Sequence, residues 1–127
     1  MVMFDANMIL RYLLNDNSVM AERAEQYLEA GNVSVTIEVI AEVIYVLKGV
    51  YLLERGKIVD VVKDFLELVS CQEKRVLSFA LDTFGKHNLD FVDCVLYAYN
   101  CVKDAEIATF DKQLLKLLSE NKTISSS

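Results

Sequence analysis

Val2-Met3-Phe4-Asp5-Ala6-Asn7 sets three apolar residues, enough for a short strand, directly before a carboxylate and the helical pattern Met8, Ile9, Leu10, Tyr12, Leu13 and Leu14. Asp5 therefore stands where a strand ends and a helix begins. In open α/β sheets, ligands bind outside the carboxyl ends of the strands, so an acid at this point is a candidate site residue. It is equally well placed to cap the helix, because its side chain can accept a bond from a free backbone N–H of the first turn.

Working outward, Asn15-Asp16-Asn17-Ser18 reads as a turn with Ser18 as N-cap, and Ala21, Ala24, Tyr27 and Leu28 mark a helix stopped at Gly31. Val33 to Val35 is a second short strand. The helix that follows runs from near Thr36 to Gly49, with Ile37, Val39, Ile40, Ala41, Val43, Ile44, Val46 and Leu47 around almost its whole circumference. Only Glu38, Glu42 and Tyr45 form a polar line. A helix apolar on nearly every side is expected to be buried, and an ionised Glu42 within it calls for a cation or hydrogen bonds. Glu38 suits the first turn, where the helix dipole favours an acid.

Ile58, Val61, Val62, Phe65, Leu66 and Val69 predict a further amphipathic helix, with Lys57, Asp60, Lys63, Asp64 and Glu67 on its solvated face. Arg75 to Leu77 reads as a third strand, followed by a short helix through Phe79, Ala80 and Phe84 and a loop, Gly85 to Asn88, that holds His87. From Leu89 to Val102 comes a second apolar helix, in which Asp93 is the one charged residue between Asp90 and Lys103. Asp90 lies three residues earlier, placed to cap the helix or to reach the same cation as Asp93. Glu106 to Phe110 predicts a fourth strand. It too ends in an acid, Asp111, before a helix from Lys112 to Leu118. Lys122 to Ser125 offers a weak edge strand ahead of a frayed serine end.

The 127 residues suit one domain, residues 1–127, and the balance of 54% apolar to 25% charged residues predicts a well-buried globular protein. No apolar run is long enough to span a bilayer, and no basic segment with an h-region opens the chain, so a cytoplasmic protein is expected. Cys71, Cys94 and Cys101 are odd in number and form no CxxC pair, which points to buried free thiols. His87 is the only histidine, so multi-histidine metal sites are excluded. The net charge of −6 argues against holding nucleic acid by general electrostatic attraction, unless several of the 19 acids are gathered to hold cations.

Strands alternating with helices imply a parallel sheet covered on both faces. Asp5 and Asp111 would project from its carboxyl edge, and Glu42 and Asp93 would lie near the N-terminal parts of helices beside that edge. Four carboxylates meeting in a partly buried pocket repel one another unless divalent cations neutralise them, and such hard oxygen ligands suit Mg²⁺ or Mn²⁺, one ion or two. Such a site can bind a phosphate, activate a water and stabilise a leaving oxygen, which together amount to phosphodiester hydrolysis.

Asp5-x-Asn7, Glu42, Leu89-Asp90-Phe91-Val92-Asp93 and Thr109-Phe110-Asp111, in this order, resemble the PIN-domain family, and more narrowly its small VapC-type ribonuclease toxins. The resemblance covers nearly the whole chain. It implies a three-layer α/β/α sandwich with a central parallel sheet of four or five strands, metal-dependent endoribonuclease activity, homodimerisation and inhibition by a cognate antitoxin. Asp5, Glu42, Asp93 and Asp111 match the family's acidic constellation, Asn7 and Thr109 its supporting polar positions, and Asp90 an acid often seen beside the third. The implied division of labour has Asp5, Glu42 and Asp93 holding a first cation and Asp111 serving a second or its water. Arg11, Lys86, His87 and Lys112 are candidates for steering RNA. The chain departs from the family at Ala6, where Thr or Ser is common between the first Asp and the Asn.

Two other classes compete. A receiver-type signalling domain needs a phosphoacceptor Asp after a middle strand, where this chain has Ser78 and Phe79. A PIN-like module that binds without cutting is kept open by Ala6. Val50 to Leu53, apolar and just beyond Gly49, is a candidate dimer or antitoxin surface as well as ordinary core.

Overall fold

The computed structural model describes residues 1–126, with side chains to residue 121. Contacts gather the chain into two compact units, Met1–Lys74 and Arg75–Ser127.

The first unit runs β1 (Val2–Met3), α1 (Ala6–Leu14), α2 (Ser18–Ala30), β2 (Val33–Ser34), α3 (Ile37–Gly49) and α4 (Arg55–Leu66). β1 and β2 are parallel, with Val2 opposite Val33 and Met3 opposite Ser34. Side chains start the first three of these helices: Asp5 Oδ1 accepts from Met8 N at 2.8 Å, Asn17 Oδ1 from Met20 N at 3.1 Å and Thr36 Oγ1 from Val39 N at 3.2 Å. Such caps contribute about 1 kcal/mol each. Asn17, not Ser18, is therefore the cap of α2. Gly31 ends that helix at φ 80°, a conformation glycine adopts without steric cost. α1 packs on α2 and α3, and α3 on α4. Their shared core is Ile9, Ile40, Val43, Ile44, Leu47, Ile58, Val62 and Phe65, all essentially inaccessible. Burying each side chain of this size is worth roughly 1.5–3 kcal/mol.

The third strand position is at Ser70, ahead of the expected Arg75 to Leu77. Ser70 bridges Ser34 in parallel. Val35 N donates to Ser70 O at 3.0 Å, Ser70 N donates to Val33 O at 2.9 Å, and the two serine hydroxyls lie 2.9 Å apart.

The second unit consists of α5 (Lys74–Lys86), α6 (Phe91–Lys103) and α7 (Lys112–Ser126). Arg75 to Leu77 is thus the first turn of a helix and not a strand. Val76, Leu77, Ala80, Leu81 and Phe84 are all buried on α5, a spacing of one, three and four that only a helix turns to one side. Two apolar residues behind an arginine do not reveal that period. Phe84 meets Phe91 edge to face, ring centroids 5.9 Å apart, and α6 packs on α7.

Residues 104–111 carry no regular structure, so the expected strand from Glu106 to Phe110 is not formed among the described residues. Asp104, at φ 57°, turns the chain out of α6, and Asn100 Nδ2 holds the next stretch by donating to Ala105 O at 2.9 Å. The weak edge strand at Lys122 to Ser125 is instead a continuation of α7, which reaches Ser126. The frayed end at Ser127 lies outside the described residues. The chain is α/β, mostly helical, with a two-stranded parallel sheet among the described residues where four or five strands are expected. No described helix is long and apolar enough to cross a membrane.

Candidate functional site

In the first unit, Asp5 stands at the carboxyl edge of the strand pair, and Glu42 lies on the helix that follows β2. Phe4 N donates to Ser34 O at 3.2 Å, closing the ladder one residue before Asp5. Asp5 then caps α1 through one oxygen, so the capping reading is realised, and its carboxylate is exposed at the edge. Asn7 is exposed in the first turn of α1, while Ala6 is buried, only 7% accessible. β2 leads through Thr36 into α3, and Glu42 lies in the second turn of that helix.

Glu42 corrects one expectation. It is exposed, as are Glu38, Tyr45 and Lys48. The three-and-four spacing of these residues gives α3 a solvent face, and the buried stripe is Ile40, Val43, Ile44 and Leu47. Counting apolar letters overstates burial, because Ile37, Val39, Ala41 and Val46 are only half-buried flanks. Glu42 is accordingly a solvent-facing carboxylate with no desolvation to offset.

In the second unit, Asp90 and Asp111 both act on Asp93. Asp90 occupies the N-cap position of α6, and Cys94 N donates to its carbonyl at 3.0 Å, yet its side chain makes no capping bond. Its exposed carboxylate is left to other uses. Asp93, in the first turn, is half-buried, and its carboxyl is pushed above the ordinary carboxylate range, by burial first, then by Asp111, then by Asp90. A first-turn position alone would stabilise the anion, by roughly 0.3–1 kcal/mol from the helix dipole. Burial and two like charges outweigh that here.

Asp111 is held at both ends. Its N–H donates to Thr109 Oγ1 at 3.0 Å, and its Oδ2 accepts from Leu114 N at 2.8 Å, capping α7. Thr109 therefore positions the acid. Between them, Phe110 is fully exposed at 102%. The sequence pattern does not show this exposure, since it places Phe110 in a strand of a sheet covered on both faces.

The candidate cations are unequal. Arg11 is committed: its Nη1 meets both Asp16 oxygens, at 2.8 and 2.7 Å, and a hydrogen bond it donates to Tyr51, together with the Asp16 charge, holds the guanidinium above its ordinary pKa. Lys86, at the end of α5, His87 just beyond it and Lys112, the first residue of α7, are exposed. The cysteines carry no site. None of the three forms a disulfide among the described residues; Cys94 is buried while Cys71 and Cys101 are only half-buried, and burial pushes the Cys101 thiol up although its Tyr97 hydrogen bond opposes this.

The donor chemistry fits a hard divalent cation. A carboxylate whose ionised form is disfavoured by burial and by neighbouring acids, as at Asp93, is one a cation relieves, and Mg²⁺ is commonly held by one or two carboxylates with water and substrate phosphate completing the shell. Among the described residues, no group of three or more His, Cys, Asp or Glu side chains stands ready to enclose a metal. Partial ligation by acids such as Asp93 and Asp111 is the mode that remains.

Comparison with curated proteins and with solved structures gives no match. The PIN domain profile matches residues 2–118, spanning the strand-edge Asp5, Glu42 on α3, the Asp90 and Asp93 turn of α6 and the Thr109–Asp111 anchor. The chain belongs to the PIN domain family, whose members are generally nucleases.

Proposed function

We propose that this chain is a metal-dependent endoribonuclease, the VapC-type toxin of a toxin–antitoxin pair, acting as a homodimer restrained by a cognate antitoxin. The observation that carries the reading is Asp93, a carboxylate in the first turn of α6 whose proton affinity is raised by its burial first, then by Asp111 and Asp90. A structural protein gains nothing from such repulsion, whereas a cation site uses it. The PIN family match supports the nuclease class. The family's full sheet of four or five strands belongs to the same reading, as does a single domain over residues 1–127.

In this reading Asp5, Glu42, Asp93 and Asp111 are the ligand and catalytic acids. Mg²⁺ or Mn²⁺, one ion or two, would lower the pKa of a water and neutralise charge on the scissile phosphate. Asp93, when ionised, takes the central share of ligation, because its anion has most to gain from a positive neighbour. Asp111 is pre-set by Thr109 and by its cap on α7, so little reorganisation is needed when substrate arrives. Asp90, uncapped, adds negative charge beside Asp93. Asn7 offers an amide beside Asp5. Lys86 and Lys112 supply phosphate contacts at an otherwise acidic surface, and Arg11, already paired, serves the fold.

Cleavage of a mixed cellular RNA pool by the purified chain with Mg²⁺ or Mn²⁺ tests the reading, with EDTA and Asp5→Asn run in parallel. Asn caps a helix as well as Asp does, so that variant removes charge and keeps α1. Cleavage lost in both controls is the expected result. A folded protein that cuts nothing under either metal overturns the enzyme reading in favour of a binding-only PIN module.

A further inference from the structure

We infer that Phe110 is a base-stacking residue, which selects an unpaired nucleobase next to the acids of the second unit. The inference rests on the ribonuclease reading and deepens it. Its first support is exposure: the ring is fully accessible at 102%, higher than any other large apolar residue described. Its second is rigidity. Thr109 accepts the N–H of Asp111 at 3.0 Å, and Asp111 caps α7, so the backbone on either side of Phe110 is anchored and the ring projects from a fixed point. A third is position, since Phe110 precedes by one residue the acid that acts on Asp93.

Charge supplies the fourth support. With a net charge of −6, the chain gains little general attraction to a phosphate backbone. Contacts that do not depend on charge then carry a larger share of the affinity for RNA. Stacking of a base on an aromatic ring is worth roughly 1–3 kcal/mol and needs no particular base. It does require the base to be out of a duplex, because paired bases present no free face. The chemical class that fits is a single-stranded segment, a loop or a bulge.

The chain contains no tryptophan, so Phe110→Trp introduces a lone indole reporter. Placed with Asp93→Asn to prevent cutting, the full-length protein is titrated with a single-stranded RNA oligonucleotide and with its duplex. The expected result is saturable quenching by the single strand, persisting at raised salt, and none by the duplex. In the cleaving protein, Phe110→Ala should raise KM about tenfold, within the range for one stacked base, with kcat nearly unchanged, and Phe110→Trp should restore KM. Anisotropy of labelled RNA with the parent protein in EDTA separates the two failures. Absence of binding there, together with absence of cleavage, overturns the ribonuclease reading and this inference with it. Binding with a silent indole, or an unchanged KM in Phe110→Ala, overturns this inference alone.

Discussion

Thr109 Oγ1 accepts the backbone N–H of Asp111 at 3.0 Å, so a neutral hydroxyl sets the direction of an acid two residues on. Thr109→Val keeps the shape and removes the acceptor. The lost bond should cost about 0.5–1.5 kcal/mol of stability. Cleavage should fall by roughly tenfold to a hundredfold, since small misplacements of a reacting group are costly. Thr109→Ser should keep most of both. Urea melts and initial cleavage rates of the two variants measure this, and equal rates for Val and Ser would remove Thr109 from the site.

Asp93 links pH to stability. Its proton affinity is raised in the folded chain, so the folded state binds the proton more tightly than the unfolded state. The stability it contributes is therefore greatest at low pH. It declines as pH rises from the ordinary carboxylate range through the raised value, and stays reduced above it. Asp93→Asn should abolish that decline, leaving a protein more stable than the parent near neutral pH in metal-free buffer. The same variant should lose more than about a hundredfold in cleavage, beyond the usual cost of removing a supporting partner. A metal-free stability profile identical to the parent's would show that the repulsion is not felt.

The legible parts of the fold were those fixed by local chemistry. Asp5, Thr36 and Gly31 act at helix ends as their side chains, or lack of one, dictate. The strand positions were less legible. Arg75 to Leu77 and the run from Val69 to Cys71 are both short and mixed, and what makes Ser70 a strand position is its partner Ser34, thirty-six residues away. The acids were found because a carboxylate in an apolar stretch stands out in any register. That Asp93 is half-buried and Glu42 exposed depends on which helix face meets a neighbour, and the letters around the two residues look alike.

Glu42 and Glu38 form a natural pair of controls, both exposed on the same face of α3. Glu42→Gln and Glu38→Gln should each leave stability within about 0.5 kcal/mol, as surface changes usually do. Only Glu42→Gln should abolish cleavage. Loss of activity in both, with melting temperatures unchanged, would show that the whole acidic line matters and not one residue.

Leu52 has φ 56°, the left-handed region that branched and bulky side chains rarely adopt, and it is 79% exposed. Asn15 and Asp104 occupy the same region with residues suited to it. The strain at Leu52 is not offset by burial. Leu52→Asn should stabilise the chain by up to about 1 kcal/mol, the lower end of the cost of this conformation for a residue with a Cβ. A thermal melt of the isolated protein decides the point. A destabilised variant would mean that the leucine makes apolar contacts outweighing its backbone.

Cation binding should be visible without RNA. A ligand that binds only the folded state at one hundred times its dissociation constant stabilises by about 2.7 kcal/mol. Saturating Mg²⁺ or Mn²⁺ should therefore raise the melting temperature by several degrees, and Ca²⁺ tests whether coordination size matters. Asp111→Asn is the discriminating variant, because Asn preserves the cap on Leu114 N and removes only the charge. Its melting temperature without metal should match the parent's or exceed it, since one of the charges that disfavour ionised Asp93 is gone. The metal-induced rise should shrink sharply. If it is undiminished, the cation binds elsewhere, and Asp111 is left as a helix cap.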